Sequence, residues 1–392
     1  MREDMKYNFE TLINRSKQGS SKWNLMKPGT PENIAPFSVA DVDMPLAPEI
    51  KNGLIKFLEN DAVLGYTNPN DEYYQAVINW MARRHNYKID KEMVVLSNGI
   101  VPALYDAILA YTNKNDGVIT FTPIYYPFYQ AIEINDRKLV KCPLINTDTN
   151  YTIDFDKFEQ LAKDSKNKLL LLCNPHNPIS RVWSKQELEK IAQICLDNNI
   201  IIVSDEIHGD LIMPGLKHCP IATISKKIEN ITITCSAPSK SFNLAGLQGS
   251  NIFIKNPDLR KKFILQQEKR CFHSLNTIAY KATILAYNEA EEWLLEFINL
   301  IYKNYNLLKD YLAKNLPLVK ISPLQGTYLA WLDFRAYDYN YKELEAKMHN
   351  ADLYFDEGYI FGDDGKGFER INIACPTKTL IEALERLKNE FI

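Results

Sequence analysis

Through the middle of the chain, short apolar runs alternate with segments whose apolar positions recur at helical spacing, the sign of βα units around a mostly parallel sheet. The repeat is roughly 30 residues, the length of one such unit. VVLSNG (Val94 to Gly99) predicts a strand and a turn that opens a helix at IVPALYDAILAY. VITF (Val118 to Phe121) predicts the next strand, ending at the loop TPIYYPF. KLLLLCN (Lys168 to Asn174) reads as a buried strand followed by the Pro-rich loop PHNPISRV. In the helix after it, Ser184 and Glu187 form a capping box, and Leu188, Ile191, Ala192 and Cys195 make one apolar face as far as the DNN stop. IIIVSDE (Ile200 to Glu206) and ITITCSA (Ile231 to Ala237) are two more strands, each with its polar residues at the carboxyl end.

From about Glu289 to Asn315 the pattern becomes one long helix, with Trp293, Phe297, Leu300 and Ile301 on one side. Beyond it GTYLAWLDF and RINIAC are strand-like and TLIEALERLKN is a closing helix. The expected organisation is an N-terminal segment, 1–48, that is part of a small domain, and a large domain over 49–288. A connecting helix and the C-terminal small α+β domain occupy 289–392. There is no internal repeat and no low-complexity tract.

Composition narrows the partners. The chain has 392 residues, 46% of them hydrophobic, and a formal net charge of −3. Its basic residues are scattered, so it lacks the electrostatic footprint of a nucleic-acid binder. Seven cysteines without a CxxC pair argue against a disulfide framework and a cysteine-rich zinc site, and fit a reducing cytoplasm. His176, His208, His218 and Cys219 have no metal-ligand spacing, so no metal is expected. The start MREDMKYNFE lacks the apolar core of a signal peptide, and no apolar run approaches the roughly 18 residues that span a bilayer. The expectation is an unprocessed cytoplasmic protein with neither nucleic acid nor membrane as partner.

The polar residues at the strand ends carry the chemistry. In open α/β sheets ligands bind outside the carboxyl ends of the strands, and Asn177, Asp205, Lys240 and the tyrosines of IYYPF all fall there. CSAPSKSFNLAGLQGS sets Lys240 among Ser236, Ser239 and Ser241, hydroxyls suited to a phosphate, with Gly246 and Gly249 allowing close backbone approach. Lysine forms Schiff bases with carbonyl compounds once its amine is deprotonated. A carbonyl cofactor bearing a phosphate would use all of these groups, and pyridoxal 5′-phosphate (PLP) fits. Asp205, one βα unit before the lysine, is the candidate carboxylate for the pyridine nitrogen.

The runs LLCNPHNPISRVWSKQELEKIAQIC, IIVSDEIHGDL and SAPSKSFNLAGLQ resemble the fold-type I PLP enzymes, the aspartate aminotransferase superfamily, and more narrowly its cystathionine β-lyase or cysteine-S-conjugate β-lyase branch. VADVDMPLAPEI, SNGIVPALYDAI, TPIYYPF, PLQGTYLAWLDF and FGDDGKGFERINIACP extend the resemblance over almost the whole chain. It implies a large domain with a mostly parallel seven-stranded sheet flanked by helices and a smaller α+β domain. It also implies that Lys240 carries the Schiff base and that Asp205 partners the pyridine nitrogen. Asn177 would bond the ring oxygen, and Tyr126, helped by Tyr125, would stack on the ring. Gly99, Ile100 and Ser239 would hold the phosphate, and His208 would lie close to the cofactor. Tyr66 would reach the phosphate from a second subunit, which implies a homodimer with shared active sites. Arg370 would hold the substrate carboxylate, with Tyr125 and Ala40 also at the substrate.

Four positions qualify this reading. The lyase branch usually has tryptophan where this chain has Ser38, and glycine where it has Ser180. Ordinary aminotransferases commonly carry a tyrosine at the position of His208 and a phosphate-binding arginine at that of Gln248, and both differences match the lyase branch. The expected activity is β-elimination from cystathionine or another cysteine conjugate, giving pyruvate, ammonia and a thiol. The alternatives are a class I/II aminotransferase, and a PLP-binding regulatory protein acting through a protein partner.

Overall fold

Leu169, Leu170, Leu171 and Leu172 are all fully buried, which requires a covering layer on each face of the strand that carries them. Leu170 and Leu172 pack with Phe158, Leu188 and Ile191 on one side, and Leu169 and Leu171 with Leu104, Ala107 and Phe263 on the other. That strand lies inside a seven-stranded sheet in a computed structural model of the chain, in which residues 6–392 are described. The first five residues of the expected N-terminal segment lie outside the described residues.

In chain order the strands are β1 (Val94–Ser97), β2 (Gly117–Thr122), β3 (Lys138–Pro143), the hairpin β4 (Ile145–Thr147) and β5 (Asn150–Thr152), β6 (Asn167–Cys173), β7 (Ile201–Asp205), β8 (Thr232–Ser236) and β9 (Ser250–Ile254). The large sheet has the order β1-β9-β8-β7-β6-β2-β3. β3, β2, β6, β7 and β8 are mutually parallel, and β9 runs antiparallel to both β8 and β1. This is the mostly parallel α/β sheet that the alternation predicted, with strand ends shifted by a residue or so. The capping box at Ser184 and Glu187 is present and opens the helix Lys185–Asp197.

The second sheet is wholly antiparallel, in the order β10 (Lys320–Ile321), β11 (Leu329–Asp333), β13 (Phe368–Asn372), β12 (Asp356–Glu357). The closing helix Thr377–Phe391 and the long helix Glu291–Asn315 pack with it in one apolar cluster. Phe37 ties the N-terminal segment to this unit, its amide donating to the Tyr354 carbonyl and its carbonyl accepting from the Asn372 amide, each at 2.8 Å. The long helix starts two residues later than the pattern indicated. A separate helix, Thr277–Glu289, ends at Ala290. Ala290 and Trp293 share the same core cluster, so the apolar spacing runs across the joint and conceals it. Among the described residues no helix is long and apolar enough to cross a membrane.

Candidate active site

The parallel strands end on one edge of the large sheet, and a cavity of about 230 Å³ opens there. β7 ends at Asp205, flanked in register by Cys173 of β6 and Cys235 of β8, both buried. Between two thiols and under the sheet edge, the Asp205 carboxyl is pushed up to about 7 by burial, against the opposing pull of the Ile207 amide and Lys240. The Ile207 amide donates to Oδ1 at 3.1 Å. Among the described residues no donor reaches Oδ2, and Asp205 lines the cavity.

β8 leads through Ala237 into the short helix Pro238–Ser241, which carries Lys240. Lys240 Nζ donates to the Ala40 carbonyl at 2.6 Å. Burial and the nearby Arg370 guanidinium hold its amine down near 8, against Asp41 and Asp205. Of the three serines around it, only Ser239 lines the cavity. Ser241 is committed elsewhere, donating to Asp210 Oδ2 at 2.7 Å, while Asp210 Oδ1 accepts from Trp80 at 3.1 Å and meets His85 at 2.7 Å. Of the two glycines singled out, Gly249 borders the cavity and Gly246 does not.

On the opposite wall, Gly99 precedes the helix Ile100–Tyr111 with φ +133°, a backbone conformation that side chains rarely adopt. The first amides of this helix have no intrahelical partner, and Gly99, Ile100 and Val101 line the cavity. Tyr125 and Tyr126 line it too, their rings 5.1 Å apart. Tyr126 is 37% exposed, whereas Tyr125 is mostly buried beside Arg370 and Asp205, and burial raises its hydroxyl pKa.

Arg370, on β13, is buried and fixed from two sides. Its Nη1 donates to Asn177 Oδ1 at 2.8 Å. Nη2 and Nε meet Asp356 Oδ2 at 2.6 and 3.2 Å. The guanidinium also lies over the Phe361 ring at 4.7 Å. Asp356 was not legible in the sequence, yet its Oδ2 also accepts from the Val39 amide at 3.1 Å. Val39 has φ +53°, strained for a β-branched residue. Its carbonyl and that of Asp41 are held by Asn372 Nδ2 at 2.8 and 2.7 Å. Those three anchors present the Ala40 carbonyl to Lys240.

His208 lines the cavity, T-stacked on Tyr328 at 6.0 Å, with burial pushing its pKa well below the ordinary value and its Nδ1 without a partner. Ser180 adopts φ +57°, the region a glycine favours, and its hydroxyl meets Thr327 Oγ1 at 2.9 Å. Eleven of the twelve sequence-predicted site residues thus line one cavity. Tyr66 is the exception: it is fully exposed and absent from the cavity of its own chain.

A half-buried lysine with a depressed pKa, a buried acid and a pinned arginine at the carboxyl edge of such a sheet define a class of enzyme. Residues 32–387 match the family model for aminotransferase class I and II, and the chain belongs to that family. It is 38% identical to cystathionine beta-lyase PatB of Bacillus subtilis (strain 168), over 97% of this chain and 99% of that one. Among solved structures it resembles cystalysin of Treponema denticola, which contains PLP, with 46% identity, a TM-score of 0.97 and 99% of each chain covered. The PLP-bound C-S lyase of Staphylococcus hominis superposes with a TM-score of 0.92 at 32% identity, again over 99% of each chain.

Proposed function

We propose that this protein is a PLP-dependent carbon–sulfur β-lyase acting on cystathionine or related cysteine S-conjugates. The observation that carries the proposal is the pairing in one cavity of Lys240, its amine pKa near 8, with Asp205, a buried acid that has a free oxygen. The residues present fit the cofactor. Asp205 Oδ2 lacks the N–H partner that a protonated pyridine nitrogen supplies, and the helix amides at Ile100 with the Ser239 hydroxyl suit a phosphate. Bound PLP would supply an aldehyde that condenses with amines and a cationic ring that draws electrons from the substrate's α-carbon.

The chain's own groups do the rest. Lys240 would hold the cofactor between turnovers and, once freed, accept the substrate's α-proton at Nζ; an amine that deprotonates near 8 suits that task. Expulsion of the β-thiolate would then follow, and Lys240 would return a proton to the leaving sulfur. Asp205 would keep the ring nitrogen protonated, the cation in turn drawing the acid to its charged form. Arg370 would orient the substrate α-carboxylate; held by Asn177 and Asp356, it reaches that task with its rotamer already fixed. Asn177 would share its amide between Arg370 and the ring oxygen. The burial of Tyr125 and its closeness to Asp205 and Arg370 favour it over Tyr126 as the ring-stacking residue.

The test is pyruvate release from cystathionine by the purified protein with PLP and no added 2-oxo acid. Pyruvate, ammonia and thiol should appear in equal amounts. Turnover that occurs only with a 2-oxo acid acceptor would overturn the lyase reading in favour of an aminotransferase.

The same reading makes the functional unit a homodimer in which Tyr66 completes the partner's phosphate site. Support comes from its full exposure beside Val63 and Leu64, apolar residues that are 80% and 68% exposed. Seven free cysteines suit a reducing cytoplasm.

A further inference from the structure

The two-stranded pairing of β12 with β13 has two faces. Asp356 stands opposite Arg370 and Glu357 opposite Glu369, so alternation along the strands sends the first pair to the cavity and the second to the reverse side. Two carboxylates directly opposite each other repel. Over that reverse face the helix Tyr341–Asn350 lays Glu345 and His349, one turn apart.

One ligand atom from each of Glu345, His349 and Glu357 lies within 4.8 Å of the others. His349 Nε2 is 3.8 Å from Glu357 Oε1. Behind them Glu369 is 2% exposed and its Oε2 has no hydrogen-bond partner. A buried carboxylate without a donor, opposite Glu357 on the neighbouring strand, needs a proton or a cation.

We propose that Glu345, His349 and Glu357, backed by Glu369, form a binding site for a divalent cation of the zinc class on the face of β12–β13 remote from the cavity.

The charges facing the cluster support a cation. Asp356 is spent on Arg370, and Lys27 is the basic group that acts on His349. The Tyr359 hydroxyl donates to Glu345 Oε2 at 3.3 Å, in the manner of a group that orients a ligand. One imidazole with carboxylates at roughly 2.0–2.2 Å from the ion is a zinc-type donor set, and contraction of these side chains by about an ångström would form it. The ion would tie the helix to β12, the strand whose Asp356 holds Arg370.

The experiment uses the PLP-loaded protein stripped with a chelator, with Zn²⁺ as probe. Zinc retained after dialysis is measured by mass spectrometry, and the melting midpoint is followed with and without Zn²⁺. About one zinc per chain and a midpoint rise of about 3–5 °C at saturating metal are expected. His349→Gln and Glu357→Gln should each weaken binding at least tenfold and abolish the rise. Glu369→Gln should melt higher than wild type without zinc and respond less to it. Equal zinc retention by wild type and the His349→Gln/Glu357→Gln double variant, or no retention by wild type, would overturn the site.

Discussion

Lys240 and Asp205 face one cavity with opposite formal charges, and burial opposes ionisation of both. The consequence for stability runs in opposite directions on the pH scale. Asp205 is raised from 3.8 to about 7, so between those values the folded, cofactor-free chain holds a proton that the unfolded chain has released. Its cost is absent below about pH 4, grows as pH rises, and is complete above about 7. At about 1.36 kcal/mol per unit this amounts to roughly 4 kcal/mol at most. Lys240 is lowered from 10.5 to about 8, so its cost is complete below 8 and fades as pH rises towards 10.5. Both costs are therefore in force between about pH 7 and 8. Cofactor-free Asp205→Asn should melt above cofactor-free wild type at pH 7.5, and the gap should close towards pH 4; thermal melts across that range read it directly. With PLP present the order of merit reverses, since the Asn cannot hold the ring proton: lyase turnover should fall by roughly a hundredfold or more. Lys240→Ala should lose it by roughly a thousandfold or more, as pyruvate release would show.

At the level of elements, the proposed substrate-carboxylate site is built by a strand only two residues long and a loop forced into positive φ. β12 contributes Asp356, which fixes Arg370 and the Val39 amide together. Replacing it by Asn leaves one guanidinium without its counter-charge and loosens the loop that offers Ala40 to Lys240. Asp356→Asn should raise KM for cystathionine by about ten- to a hundredfold while lowering kcat less, since uniform binding is lost more than proton transfer. Steady-state kinetics on pyruvate release separate the two. This element also marks where the sequence stops being legible. Lys240, Asp205, Asn177 and Gly99 stand at the ends of long apolar strands or at a strand-to-helix turn, so hydrophobic patterning points to them and the motifs name them. Asp356 sits in a strand too short for any periodicity, and its partner Arg370 is 14 residues away along the chain. Ala40 acts through its carbonyl, which no side chain announces. Ser241 reads like Ser239 in sequence, and only the helix rotation turns it to Asp210 instead of the cavity. The break at Ala290 was hidden for a related reason: both flanking helices bury their apolar faces in one core.

For the molecule as a whole, the proposed homodimer would complete the cavity with a residue from the second chain. Eleven of the expected site residues meet at the sheet edge, while Tyr66 is fully exposed on a segment that also presents Val63 and Leu64 to solvent. In the proposed homodimer that segment would lie against the second copy, burying the apolar pair and carrying the tyrosine hydroxyl to the partner's phosphate site. Two-fold symmetry makes the exchange reciprocal, so each site would use Lys240 from one chain and Tyr66 from the other. This arrangement has a signature that neither chain alone can give. Lys240→Ala should be inactive, and Tyr66→Ala should bind PLP more weakly by about tenfold or more, because a phosphate hydrogen bond to a charged group is lost. Mixing and reassociating the two inactive or weakened variants in equal amounts makes about half of the dimers mixed. Every mixed dimer has one site with both native residues and one with neither. At PLP concentrations too low to saturate Tyr66→Ala, lyase activity should therefore recover to about a quarter of the wild-type value. If Tyr66 served its own chain's cavity, mixing would create no native site and no recovery would appear.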